Sequence, residues 1–94
     1  MPLYRIAVTC DGLTDAEGTP APSCILEEFR HRPWHQNVRC NWAGGLLRLE
    51  AENDCDAKGQ ALLDEFWDVV IACIKVSTEI EFKIVSVCRL PIGT

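Results

Sequence analysis

A chain of 94 residues, 48% hydrophobic and 24% charged, is sized for one domain spanning 1–94 with a thin core. Its apolar content excludes a disordered chain, and its longest apolar run, Val69 to Ile74, is far short of the ~18–20 residues of a membrane span. Acidic residues outnumber basic ones 14 to 9, giving a net charge of −5 that repels phosphate backbones, so neither nucleic acid nor membrane is an expected partner.

The N-terminus has no basic region, apolar stretch or small-residue cleavage site, which makes a cytoplasmic location the expectation. Six cysteines, Cys10, Cys24, Cys40, Cys55, Cys73 and Cys88, lie 14 to 18 residues apart with no C-x-x-C pair. In a reducing compartment this spacing predicts free thiols, most of them serving as small buried hydrophobes.

Leu3 to Cys10 alternates, with Tyr4, Ile6, Val8 and Cys10 on one side, and predicts a half-buried strand. Asp11 to Ala21, rich in Gly, Asp, Thr and Pro, reads as a loop. Pro22 to Arg32 predicts a helix capped by Thr19 or Ser23, with an apolar stripe at Ile25, Leu26 and Phe29. Glu28 and Arg32 stand at i,i+4, and Pro33 ends the helix.

Asn37–Trp42 and Leu46–Glu52 alternate on either side of Ala43-Gly44-Gly45, which predicts a hairpin. Asp54 or Asp56 then caps a long helix, about Asp56 to Val76. Gly59, Leu62, Leu63, Phe66, Val69, Val70 and Cys73 share its inner face, while Trp67, Ile71 and Ile74 widen the apolar arc beyond what one sheet covers. Glu79 to Leu90 is the last strand, with Ile80, Phe82, Ile84, Cys88 and Leu90 expected inward and a bulge near Ser86.

This order predicts an α+β fold, the ferredoxin-like βαββαβ sandwich, with both helices on one face of a four-stranded antiparallel sheet. Cys10, Cys40, Cys73 and Cys88 fall in its expected core.

The other sheet face is then open, and it carries Arg5, Ala7, Thr9, Arg39, Leu46, Arg48, Glu50, Glu52, Glu79, Glu81, Lys83, Val85, Val87 and Arg89. Its lack of aromatics excludes base stacking in the manner of RNA-recognition sheets. Its arginines Arg5, Arg39 and Arg48 are candidate ligands for a small anion. Ala7, Leu46, Val85 and Val87 are candidate interface residues there, and Trp67 and Ile71 are candidates on the helix edge.

Arg30 to His35 is the one basic cluster, and Trp34, His31 and His35 are its candidate binding residues. Cys24, His31, His35 and Cys40 have zinc-type chemistry, but Pro33 separates the histidines and Cys40 points inward, so no metal is expected. The run Glu50, Glu52, Asp54 and Asp56 is explained by helix capping. No catalytic triad, P-loop or dinucleotide fingerprint is present, and no cofactor is expected.

The sequence therefore predicts a small non-enzymatic interaction or regulatory module. Its expected partner is a second copy, or another protein, docked on the open sheet face or the helix edge. The alternative is a binding protein or minor enzyme for a small anionic ligand, with a pocket lined by sheet arginines.

Overall fold

Period-2 alternation and period-3.6 stripes organise the chain into four strands and three helices, seen in a computed structural model that describes residues 3–76 and 79–91. The elements are β1 (Leu3–Asp11), α1 (Asp15–Gly18), α2 (Ala21–Phe29), β2 (Gln36–Ala43), β3 (Leu46–Asn53), α3 (Gln60–Cys73) and β4 (Glu81–Leu90). The strands form one antiparallel sheet in the order β2-β3-β1-β4. The architecture is α+β.

Ile6, Val8 and Cys10 of β1 and Leu47, Leu49 and Ala51 of β3 point to one side of the sheet. They share a core with Ile25 and Phe29 of α2 and with Leu62, Phe66, Val69 and Val70 of α3. Fully burying each large aliphatic or aromatic group here contributes about 1.5–3 kcal/mol.

Three local devices set the helices. Thr14 and Glu17 form a capping box that starts α1 inside the stretch expected to be a loop. The cap expected from Thr19 or Ser23 is absent, because α2 begins after Pro20, whose fixed φ suits a first turn. The N-cap of α3 is Gly59 rather than the expected Asp54 or Asp56, yet the Asp56 carboxylate, three residues earlier, accepts from the first-turn amides of Ala61 and Leu62 at 3.1 and 2.9 Å.

Helix α3 starts later than expected because Gly59, with φ +79°, turns the chain immediately before it. A Cβ there would stand 3.1 Å from Ile6 and Val87, so only glycine lets the helix start this close to the sheet. Gly18 plays a similar part for β2, since a Cβ at that position would enter the Trp42 ring at 2.3 Å.

A bulge falls in β4 as expected, and it changes which residues face inward. Val8 pairs with Ile84 while Ala7 pairs with Ser86, leaving Val85 unpaired. The alternation slips by one residue beyond it. Val87 therefore pairs with Ile6 and packs against the core, which corrects its expected place on the open face. Cys88 pairs with Arg5 and Leu90 with Leu3, which moves both off the core side. Arg89 pairs with Tyr4 and so stands on the helix side. Ile74, expected on the surplus edge, is buried. No helix among the described residues is long and apolar enough to cross a membrane.

Candidate functional site

The open sheet face is an ion-pair lattice. Arg5 directs Nε and Nη2 to Glu52 at 3.2 and 3.1 Å and stands 4.0 Å from Glu50. Arg48 reaches Glu50 at 3.4 Å. Asn37, held at φ +51° beside the bulge that opens β2, donates to the other Glu52 oxygen at 3.0 Å. The Asn37 amide above all, then Arg5 and Arg39, hold the Glu52 carboxyl below the ordinary range against the opposing effect of its burial.

Two of the three candidate anion-binding arginines are thus already matched to carboxylates. Ala7, paired with Glu50 on one side and Ser86 on the other, is only 1% exposed, which corrects its expected role as a contact residue. Leu46 and Val85 flank a shallow depression of about 300 Å³ with Thr9, Asp11, Glu81 and Lys83.

The basic segment after α2 folds into a polar network rather than an open binding cluster. Both nitrogens of the buried His35 are occupied. Nε2 contacts Glu65 of α3, and Nδ1 lies 3.3 Å from the Asn53 amide nitrogen. The Asn53 oxygen accepts from the amides of Cys55 and Asp56 at 3.2 and 2.8 Å, so its nitrogen is the atom turned toward His35. An amide nitrogen only donates, so Nδ1 accepts and Nε2 carries the hydrogen given to Glu65.

Glu65 also pairs with Arg32 at 3.2 Å and accepts from the Trp34 indole at 3.3 Å. The expected Glu28–Arg32 side-chain pair is replaced: Arg32 donates to the Glu28 backbone oxygen at 3.2 Å, and Arg30 pairs with Glu27 at 3.1 Å. His35, expected in a binding cluster, is closed inside this network, whereas His31 and the Trp34 ring remain exposed.

Glu65 and Asn53 were not singled out by the sequence. Glu65 belongs to the polar helix face by periodicity, and nothing local marks its reach to a residue thirty positions away. No group of three or more His, Cys, Asp or Glu side chains suited to a metal occurs among the described residues.

The cysteines divide three ways. Cys24 of α2 and Cys73 of α3 form a disulfide with Cα atoms 6.0 Å apart, which corrects the free-thiol reading of both. The disulfide borders a groove of about 290 Å³ between α1, α2 and the end of α3. Cys10 and Cys40 are free thiols whose burial pushes their pKa values up to about 11 and about 12 respectively. Cys55 and Cys88 are free and exposed.

Helix α3 leaves an apolar edge uncovered. Trp67 is 52% exposed and stacks on Phe82 of β4 with ring centroids 5.0 Å apart. Ile71, one helical turn further along α3, is equally exposed. Beside them runs β4, an outer strand of ten residues with no proline. No protein-family model and no curated protein matches the chain.

Proposed function

We propose that this chain is a small non-enzymatic interaction module that self-associates through the edge built by α3 and β4. The observation that carries the reading is the half-exposed Trp67, stacked on the partly buried Phe82 and standing beside the equally exposed Ile71. Aromatic and aliphatic groups clustered at one edge are the usual anchors of protein contacts. The adjoining outer strand adds a row of backbone donors and acceptors ready to pair with another strand.

We take the arrangement as ferredoxin-like. Strands β1 and β2 are parallel and joined through helix, and β3 lies antiparallel between them. Strands β3 and β4 are likewise parallel, with β1 between them. Both βαβ units are therefore split by an inserted strand. The ion-paired state of Arg5 and Arg48 speaks against the anion-binding alternative, because a ligand would have to displace Glu50 and Glu52.

Light scattering across a concentration series tests the reading. The expected result is a dimer whose population rises with concentration. Trp67→Ala should raise the dissociation constant at least tenfold, while Leu46→Asp on the open face should leave it unchanged. A strict monomer at millimolar concentration overturns the proposal. Loss of association with Leu46→Asp but not with Trp67→Ala moves the contact to the open face and overturns the edge assignment.

A further inference from the structure

We infer that the occupant of this edge is a second copy of the chain, with β4 lying antiparallel to its own counterpart in one register. In that register Ile84 stands opposite Val87 of the partner subunit and Phe82 opposite Arg89 of the partner subunit. The inference rests on the self-association reading above and adds the partner's identity and alignment.

The register follows from the bulge. Pairing with Cys10, Val8, Ile6 and Tyr4 places Phe82, Ile84, Val87 and Arg89 on the helix side of β4. Their spacing is symmetric about the point between Val85 and Ser86. Two antiparallel strands in one sheet keep opposed residues on the same face. Among alignments that pair the whole strand, only 82 with 89 and 84 with 87 meets this condition for all four residues. A slip of two residues sets a helix-side residue against an open-face one, and shorter overlaps use half of the strand.

The chemistry of the opposed pairs is complementary. Ile84 and Val87 meet as two symmetry-related apolar pairs. Arg89 is brought over the Phe82 ring and its stacked neighbour Trp67, the geometry of a cation–π contact, and this happens twice in the dimer.

Each subunit presents the same patch to the other, which closes the assembly at two copies with β4 at the centre of a continuous sheet. The opposite outer strand, β2, offers no such match. It is irregular between Gln36 and Arg39, and its Trp42 is already packed on Gly18.

On the open face the same register sets Lys83 opposite Cys88 of the partner subunit. Directly opposed residues lie close enough for a disulfide. Mild oxidation of the full-length Lys83→Cys variant should therefore give a covalent dimer, with peptide mass spectrometry showing position 83 bonded to Cys88. The bond should be absent when Cys88→Ser is added.

Wild-type protein gives a second measurement that needs no variant. A short amine-to-thiol reagent should join Lys83 to Cys88 between subunits, since within one strand the two lie about 16 Å apart and beyond its reach. Arg89→Glu should weaken association at least tenfold. A dimer by light scattering without either 83–88 link overturns the register while leaving self-association standing. A monomer at all concentrations overturns both.

Discussion

His35 donates through Nε2 to the Glu65 carboxylate, and this contact ties the segment after α2 to the middle of α3. Asn53 fixes the imidazole from the other side, and Arg32 and Trp34 complete the Glu65 shell. Glu65→Ala strips three donors of their acceptor, one of them on a buried ring. The expected loss is about 2–3 kcal/mol in urea unfolding. Glu65→Gln keeps one acceptor oxygen and should lose less. A loss below about 0.5 kcal/mol for alanine, the range of ordinary surface substitutions, would show that the network carries no weight.

The Cys24–Cys73 bond closes a loop of 49 residues between the two long helices. On chain entropy alone, such a closure stabilises by about 4 kcal/mol. Thermal melts with and without reductant should differ by roughly 20 °C for a domain of this size. Cys24→Ser should melt at the reduced value in both buffers. Equal melting temperatures for oxidised and reduced wild type would contradict this.

Glu52 has its carboxyl held below the ordinary range by Asn37, Arg5 and Arg39, so its charged form is favoured by folding. Its contribution is present above the unfolded glutamate pKa of about 4.3 and is lost as pH falls from there through the folded value. The stability difference between wild type and Glu52→Gln should therefore be largest near neutral pH and shrink on acidification below about pH 4. A difference that stays constant from pH 7 to pH 3 would refute the assignment.

Thiol labelling at pH 8 should separate the cysteines by environment. Cys55 and Cys88 are exposed and should react in the native protein. Cys10 and Cys40, pushed to about 11 and about 12 by burial, should stay protected until denaturant is added. Cys24 and Cys73 should label only after reduction. Mass spectrometry should read two, then four, then six labels; rapid native labelling of Cys10 would contradict the packing of β1.

The strands and the hairpin were legible because alternation reports a sheet with one covered face, and Ala43-Gly44-Gly45 leaves few alternatives to a turn. The exposed edge at Trp67 and Ile71 was legible for the same kind of reason, as apolar surface in excess of what one sheet covers. Helix α1 is masked in the sequence although Thr14 and Glu17 carry a capping-box spacing, because the surrounding Gly and Pro favour a loop. Alternation places a bulge near Ser86 but does not report the change of face beyond it, so the pattern alone puts Val87, Cys88 and Leu90 on the opposite face. The disulfide and the His35 network join residues 49 and 30 positions apart. Such pairings are decided by how helices dock, and local pattern does not report them.

Val85 also bears on how the outer border of the molecule is built. It is the one inserted residue between Ile84 and Ser86, so removing it would restore strict alternation along β4 with Ser86 still opposite Ala7, Val87 still inward against Ile6 and Cys88 still outward. A single-codon deletion would thus straighten the border strand while leaving every other side chain on its present face, so the shape of the edge can drift without disturbing the interior.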